Sequence, residues 1–428
     1  MIRFGEYLAK EWKPALGCTE PASIAYAASS AASLVEGTVR AVHLRCDPRI
    51  YKNCYAVGIP YSDHKTGILW ALAIGGLLPD PTAKLEVFRQ ITPGVLAEAE
   101  GLLAAGAASV EVDASRRELL VDCAVVKSGG VGRAVVERDH TALVRLEKNG
   151  QPVPAVQAGP AAAPAGAAPE GPDVRQALAG LGLDDLLALA RSLTPADREA
   201  LRGGAELNIA ISRHGLGLFP KPFTDLIGMD TLTRVSRLVC AGVYARMSGE
   251  DFVVMSLAGS GNKGIVASVP LVLRGREIGA EPDRVDEALA LACLATSATT
   301  HHLGTLSAAC GCSNAAGIGL AAGLVLLQGG GAKEVSLAMN NIVGNVAGMI
   351  CDGAKMGCGL KTMTSVDAAF RAASLAASGI GIPASDGIVG ADGPESLANL
   401  GQIATLGMSS MDQEILRIMQ EKLRRQPA

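Results

Sequence analysis

Aromatic side chains, charged side chains and an excess of basic residues are all scarce in this 428-residue sequence. Aromatics make up 3% of the chain, charged residues 19%, and the net charge is -4. A nucleic-acid-binding protein needs a basic surface that displaces counterions from phosphates, so we expect no nucleic-acid partner. Apolar residues make up 49%, which is enough for a large core and excludes a disordered chain. A globular protein of about two to three domains is expected.

Long apolar runs are also absent. The most apolar stretches, such as Ala315–Gln328, are rich in Ala and Gly and shorter than the ~20 residues of a membrane-spanning helix. The N-terminus, Met-Ile-Arg-Phe-Gly-Glu, lacks the charged start and apolar core of a secretory signal. We therefore expect a cytoplasmic protein that has no membrane partner.

The ten cysteines show no regular framework spacing. In a long chain without a secretory signal, a disulfide scaffold is not expected, and metal binding or catalysis becomes a better explanation for some of them. Single cysteines in apolar or strand-like surroundings are mostly small buried hydrophobes. The cysteines in such surroundings are Cys46, Cys54, Cys123, Cys240 and Cys293.

Hydrophobic periodicity divides the chain into four parts. Residues 1–40 are predicted to be helical, and residues 41–150 an α/β unit in which Val, Ile and Leu nearly alternate. Residues 151–172 are rich in Pro, Ala and Gly, which indicates an exposed connector, and residues 173–428 are helical almost throughout. The predicted fold is α+β, a mostly helical domain (1–40 and 173–428) with an inserted α/β domain.

Within these parts, the individual elements can be assigned as follows. The predicted strands are 38–45, 109–112, 118–126 and 133–146. The predicted helices of the last part are 173–192, 196–212, 229–247, 283–299, 314–328, 334–349, 365–378 and 411–424.

Four cysteines stand at predicted helix boundaries, Cys310 and Cys312 in one segment and Cys351 and Cys358 in another. A helix N-terminus stabilises a thiolate and so favours metal ligation, and neighbouring glycines let the backbone approach a bulky group. The spacing does not match the paired clusters of zinc sites, whereas three thiolates and one unligated iron would make a Lewis acid. From spacing alone, an iron–sulfur cluster, zinc and unligated core cysteines all stay open.

Sequence motifs around these cysteines resemble the L-cysteine desulfidase family, which is related to the α-chain of the iron–sulfur-dependent L-serine dehydratases. The motifs are Ala15-Leu-Gly-Cys-Thr-Glu-Pro21, Tyr51-Lys-Asn53, Gly259-Ser-Gly-Asn262, Ala309-Cys-Gly-Cys312 and Cys351-Asp-Gly-Ala-Lys355 followed by Cys358. They occur in the family's order from residue 13 to about 419, with a weaker likeness through 38–150 and none in the connector.

The resemblance implies a [4Fe–4S] cluster held by three cysteines, without pyridoxal phosphate. Cys351 and Cys358 match the family's ligands directly. Cys312 is preferred as the third ligand because its Gly-Cys precedes a small-residue helix, and Cys310 is the alternative. The helical domain would then be the catalytic one.

Cys18 precedes a helix start that Thr19 and Pro21 indicate. The resemblance implies that a thiolate at Cys18 is the general base or caps the fourth iron until substrate arrives, and a loop cysteine without chemistry is the alternative. Glu20 either interacts with the helix dipole or meets the substrate's ammonium group.

Further residues are expected to bind the substrate. Gly259–Gly264 can form an anion nest for a carboxylate or phosphate, or a plain tight turn, and it lacks the Walker ending of a nucleotide loop. The side chains of Lys52, Asn53 and Lys355 are suited to bind a carboxylate, although each lysine could be a solvated surface residue. The predicted substrate-binding residues are Glu20, Lys52, Asn53, Ser260, Gly261, Asn262 and Lys355.

The activity that the resemblance implies is β-elimination of L-cysteine to hydrogen sulfide, ammonia and pyruvate. L-serine dehydration at the same cluster is the nearest alternative, and a non-catalytic metal-binding or redox protein is an alternative of another class. The expected partner is a small amino acid, and the many small apolar residues suggest a homo-oligomer such as a dimer.

Overall fold

The computed structural model describes residues 2–116, 118–153, 173–225, 230–304 and 307–425. Most of the predicted connector, residues 154–172, lies outside the described residues. The predicted α+β fold is confirmed, because a six-stranded mixed sheet with its own helices accompanies a larger, mainly helical part.

The strands are β1 (Trp12–Leu16), β2 (Val39–Cys46), β3 (Ala108–Val112), β4 (Leu120–Lys127), β5 (Gly130–Glu137), β6 (Leu143–Lys148), β7 (Gln151–Pro152) and β8 (Val253–Leu257). The helices that precede the connector are α1 (Phe4–Glu11), α2 (Thr19–Ser33), α3 (Pro48–Cys54), α4 (Ile68–Leu77) and α5 (Pro93–Ala104), with a 3-10 segment at Pro81–Gln90. The helices that follow are α6 (Val174–Ala179), α7 (Leu183–Arg191), α8 (Pro195–Leu216), α9 (Lys221–Asp225), α10 (Thr231–Ser248), α11 (Gly261–Glu277), α12 (Pro282–Leu303), α13 (Asn314–Leu327), α14 (Ala332–Val346), α15 (Cys358–Ala377), α16 (Gly393–Gln402) and α17 (Ser409–Arg425), with a π-helical segment at Ile403–Gly407.

The sheet has the order β3-β2-β4-β5-β6-β7, in which β2 and β3 are parallel and all other neighbours antiparallel. Alternate residues of β2, namely Val42, Leu44 and Cys46, are buried in a core with α2 and α4. The two helices approach closely because Gly75 lies directly against the backbone of Ala25, where a larger side chain would not fit.

The helical part packs through small residues, as the scarcity of aromatics suggests. Every residue of α13 is buried, among α11, α12, α14 and α15. Gly319 and Gly323 face the carbonyls of Ala292 and Ala288 in α12, so a Cβ at either glycine would overlap the neighbouring backbone. The single cysteines Cys46, Cys54, Cys123, Cys240 and Cys293 are all buried, as predicted.

Segments near both ends of the chain connect the sheet with the helical part. β1 pairs antiparallel with β8 of the helical part, with Trp12 opposite Leu257, whereas α2 packs against the sheet. At the other end, Ile415 and Met419 of α17 are buried in the sheet's core. Helix α2 thus packs with the sheet although it precedes the boundary placed at residue 40, and the domain boundaries stay a prediction. In the described part of the chain, no helix is long and apolar enough to cross a membrane.

Candidate active site

The first side of the candidate site is the loop that ends at Cys18. Cys18 is the N-cap of α2, and its buried thiol donates a 2.8 Å hydrogen bond to Glu20. Burial raises the pKa of this thiol well above its usual value, and the Glu20 carboxylate adds to the effect. Burial by itself would raise the pKa of Glu20, but His140 and the hydrogen bond from Cys18 outweigh it and lower that pKa. The structure therefore favours a neutral thiol at Cys18 rather than the expected thiolate.

Helix α3 forms the second side. Asp47 caps this helix by accepting hydrogen bonds from two amides of its first turn. Near the end of the helix, Asn53 donates to Glu20 at 3.1 Å, so it orients the carboxylate that Cys18 also contacts. The neighbouring Lys52 is bound elsewhere, since its buried ammonium lies 2.6 Å from Asp412 of α17.

The turn between β8 and α11 forms the third side. Ala258 and Gly259 both have positive φ angles, 48° and 77°, which redirect the chain into α11. Ser260 is the N-cap of α11, but its side chain makes no capping hydrogen bond. Its hydroxyl instead lies 3.6 Å from the sulfur of Cys312.

Arg246 of α10 joins the first and third sides. Its Nη2 donates to the Gly17 carbonyl at 2.7 Å, next to Cys18, and its Nη1 donates to the Asn262 side chain at 3.0 Å. The guanidinium is buried, and its charge reaches both Cys18 and Glu20. A buried arginine thus fixes the distance between the Cys18 loop and the start of α11.

Two cysteine-bearing segments lie side by side on the fourth side. An isolated antiparallel bridge joins Ala309 to Ile350, and the amides of Cys310 and Cys351 each donate to a carbonyl of the opposite segment, at 2.8 and 2.6 Å. Cys358 follows as the first residue of α15. This local pairing brings together segments that are well separated in sequence.

We call Cys310, Cys312, Cys351 and Cys358 the thiol cluster; all four are free and influence one another's ionisation. A hydrogen bond from Cys310 lowers the pKa of Cys312. Burial raises the pKa of Cys351, and it raises that of Cys358 to about 11. The lowered pKa expected at helix starts is therefore found at Cys312 alone of these four, and a neighbouring thiol is its largest cause.

Lys263 lies next to the thiol cluster, in the first turn of α11. It is buried, its Cε would be 3.1 Å from a Cβ at Gly311, and its Nζ donates to Thr300 at 3.0 Å. Burial lowers the pKa of Lys263 to about 8, although Cys312 nearby opposes the shift. This lysine thus places positive charge beside the cysteines.

Comparison with known proteins places these residues in a family. A family model described as the serine dehydratase alpha chain matches residues 182–417. The chain belongs to the serine dehydratase α-chain family. A UPF0597 protein of Geobacter sulfurreducens is 34% identical over 100% of both chains. Another, from Desulfotalea psychrophila, is 36% identical over 95% of this chain and 96% of its own, and one from Caldanaerobacter subterraneus is 33% identical over 96% of each.

The match to the serine dehydratase α chain covers one half of the candidate site. It contains the thiol cluster, Arg246 and the turn at Ser260, whereas Cys18, Glu20 and Asn53 precede it. The full-length relatives span both halves. The site therefore combines the part that defines the family with an N-terminal part shared with the UPF0597 proteins.

Serine dehydratase α chains are associated with iron–sulfur clusters, and the donor set here fits one. Within the described ranges, no three His, Cys, Asp or Glu side chains converge closely enough to hold a single metal ion. A cubane binds each thiolate to a different iron, so its ligands lie near one another without converging on a single point. The thiol cluster offers four free thiols that are near enough to affect one another's ionisation, which is compatible with such a ligand set.

The structure connects most of the predicted site residues. Cys18, Glu20 and Asn53 form one hydrogen-bonded chain, and the Lys52 carbonyl lies against Gly353, between the two cysteines of the second segment. Ser260 contacts Cys312, Gly261 packs on Arg246, and Asn262 is bonded to it. Lys355 differs, because its ammonium is paired with Asp352, which also binds Lys361.

Two further residues at the site were missed from sequence. Arg246 stands alone in the apolar run 238–247 of α10, and a lone charge in such a run could have indicated a buried role. His140 lies close enough to Glu20 to lower its pKa, and its Nε2 is buried without a hydrogen-bond partner among the residues that the structure describes. It sits in a polar turn, where a histidine carries no signal.

Proposed function

We propose that this chain is an iron–sulfur-dependent lyase that converts L-cysteine to hydrogen sulfide, ammonia and pyruvate. The observation that carries the proposal is that contacts through Arg246 and the start of α11 connect the hydrogen-bonded pair Cys18–Glu20 with the thiol cluster. Arg246 donates to Gly17, next to Cys18, and to Asn262, and Ser260 contacts Cys312. A protein that only stored a metal or passed electrons would have no use for a buried thiol–carboxylate pair beside its cysteines. Membership of a dehydratase family supports lyase chemistry at this place.

Cys312, Cys351 and Cys358 would hold the cluster. Cys312 is preferred over Cys310 because it is partly exposed, has a lowered pKa and contacts Ser260 of the substrate-binding turn. Cys310 is buried and donates to a serine of its own segment at 3.4 Å. When bound, a cluster with one iron free of protein ligands supplies a Lewis acid that polarises the leaving group.

The pair Cys18–Glu20 would move the α-proton. The raised pKa of Cys18 and the lowered pKa of Glu20 keep the proton on the thiol at rest. The proposed reaction therefore requires an uphill transfer of this proton to Glu20 along their 2.8 Å hydrogen bond, which would leave a thiolate at Cys18. That thiolate can accept the proton from the substrate's α-carbon, while Asn53 holds the protonated carboxyl group in place. Loss of this proton and of sulfide from the β-carbon leaves aminoacrylate, and one water molecule then gives pyruvate and ammonia.

An anaerobic assay tests the proposal. Purified holoprotein should release sulfide and pyruvate from L-cysteine in equal amounts, and Cys18→Ser should lose this activity while it keeps its iron. A holoprotein that releases no sulfide from L-cysteine would refute the proposed reaction.

L-serine dehydration is the second candidate, and the description of the matching family favours it. The same proton transfer would apply, with hydroxide instead of sulfide leaving from the β-carbon. Turnover of L-serine and L-cysteine by one anaerobic preparation separates the two, because pyruvate forms in both reactions but sulfide forms only from L-cysteine.

A further inference from the structure

Arg246 is a charged residue at the site to which the proposed chemistry gives no role. Its side chain lies in the last turns of α10 and is 5% exposed. The two groups that accept its hydrogen bonds, the Gly17 carbonyl and the Asn262 amide oxygen, are both neutral. Across the described residues, no carboxylate forms an ion pair with this guanidinium, and its buried Nε meets no acceptor.

A buried guanidinium without a carboxylate in hydrogen-bonding contact is costly. Arginine stays protonated at every accessible pH, so it cannot escape the cost by losing its proton, as a buried lysine can. An uncompensated buried charge is strongly destabilising, and compensation by an anionic ligand removes that cost. The planar fork of donors on arginine also suits the two oxygens of a carboxylate.

The other cations near the site are already engaged. Lys52 is paired with Asp412, and Lys355 with Asp352. Lys263 donates to the Ala258 carbonyl and to a threonine, and it lies against the segment that carries Cys312. Among the described cations of the site, Arg246 is therefore the permanently charged one that forms no salt bridge with a described carboxylate, and the charge of Glu20 acts on it only from beyond hydrogen-bonding distance.

The start of α11 provides a second, independent indication of an anion. A helix N-terminus carries partial positive charge and free amides that favour anions. Ser260, the N-cap of this 17-residue helix, leaves those amides without a side-chain cap. Gly261 brings the first turn against the guanidinium, since a Cβ at Gly261 would overlap the Nε of Arg246.

We propose that Arg246 and the first turn of α11 bind the α-carboxylate of the substrate. The assignment rests on the proposed function only in that the substrate is an α-amino acid. A carboxylate held there lies between the loop of Cys18, which Arg246 contacts through Gly17, and Cys312, which Ser260 contacts. It also takes over the carboxylate-binding role predicted for Lys52 and Lys355, whose charges are paired.

Two partial analogues of cysteine test the assignment. 3-Mercaptopropionate carries the thiol and the carboxylate but no amino group, and cysteamine carries the thiol and the amino group but no carboxylate. Their dissociation constants would be measured by calorimetry on anaerobic holoprotein of the wild type, Arg246→Gln, Arg246→Lys and a control, Arg234→Gln. Arg234 lies on the same helix, is half exposed and pairs with Glu277 at 3.6 Å.

Arg246→Gln should raise the dissociation constant of 3-mercaptopropionate about 30-fold or more, because a charged partner of a buried carboxylate is lost. It should change cysteamine binding by less than about 3-fold, and Arg246→Lys should recover part of the lost affinity. Arg234→Gln should change neither. If Arg246→Gln does not fold, Arg246→Lys and Gly261→Ala, which displaces the guanidinium and keeps its charge, provide the same comparison between the two analogues.

Unchanged binding of 3-mercaptopropionate, or equal weakening of both analogues, would overturn the assignment and leave Arg246 a structural link between Gly17 and Asn262. This result is distinct from failure of the proposed function. A protein that selects 3-mercaptopropionate through Arg246 but turns over no amino acid supports the carboxylate site and refutes the lyase.

Discussion

Replacement of Asp412 by Asn removes the counter-charge of a buried lysine that stands next to the site. The Lys52 side chain is 3% exposed and its Nζ lies 2.6 Å from Asp412, whose side chain is 31% exposed. Removal of one partner of a buried pair costs about 3–5 kcal/mol, whereas exposed pairs contribute about 0–1 kcal/mol. Because one partner is buried and the other partly solvated, we expect Asp412→Asn to lower the free energy of unfolding by about 2–3 kcal/mol.

Urea unfolding followed by far-ultraviolet circular dichroism measures this change. The matched control is Glu421→Gln on the same helix, whose pair with Arg417 is exposed on both sides and should contribute at most about 0.5 kcal/mol. The double variant Lys52→Met/Asp412→Asn should recover much of the loss, since no buried charge remains. Equal effects of Asp412→Asn and the control would refute the reasoning that α17 holds α3 through a buried ion pair.

Three more results are expected. Cys312→Ser should lose most of the iron and acid-labile sulfide that anaerobic reconstitution gives the wild type, whereas Cys310→Ser should keep most of it; the reverse result would make Cys310 the ligand. Glu20→Gln should lower kcat by about 10²–10⁴-fold, since the acceptor of the thiol proton is lost, and an unchanged kcat would exclude that role. Gly353 has φ 92° and lies against a carbonyl of α3, whereas Gly387 has φ 61° and lies in open space. Gly353→Ala should therefore lower the free energy of unfolding by more than the ~1 kcal/mol expected for Gly387→Ala. Equal losses would show that the contact with α3 is unimportant.

Local signals predicted several elements well. Thr19 and Pro21 indicate a helix start, and α2 begins at Thr19. The predicted helices 229–247 and 314–328 correspond to α10 and α13. In both cases the apolar pattern and the preference of the first residues agree with the packing that the helix makes.

Helix α11 was not predicted. Its first residues, Gly-Asn-Lys-Gly, are typical of a turn, and Pro270 lies inside the helix. Tertiary packing overrides these preferences, because Gly264 lies directly against the Met255 carbonyl, where a larger side chain would not fit. The segment Gly259–Gly264, interpreted as an anion nest or a tight turn, thus lies largely in the first turn of this helix.

The hairpin of β5 and β6 was predicted as one strand, 133–146. The turn between its strands is made by Asp139, whose side chain accepts from the amide of Thr141 at 3.0 Å, and no glycine or Asn-Gly pair announces it. This turn carries His140 toward Glu20. The missed turn and the missed histidine therefore have the same origin.

Contacts between distant segments could not be inferred from any local pattern. Arg246 joins Gly17 to Asn262, and Asp412 pairs with Lys52 across 360 positions of sequence. Such contacts depend on how the helical part packs against the sheet. The residue types of the site were therefore predictable, whereas their pairing was not.

One anaerobic preparation tests the central claim most directly. Iron and acid-labile sulfide would be quantified, and the same sample would then be assayed for sulfide and pyruvate with L-cysteine and with L-serine. We predict about four irons per chain, as a single [4Fe–4S] cluster requires, and equal yields of sulfide and pyruvate from L-cysteine. A protein that binds no iron, or that binds iron and releases no sulfide from L-cysteine, would contradict the account.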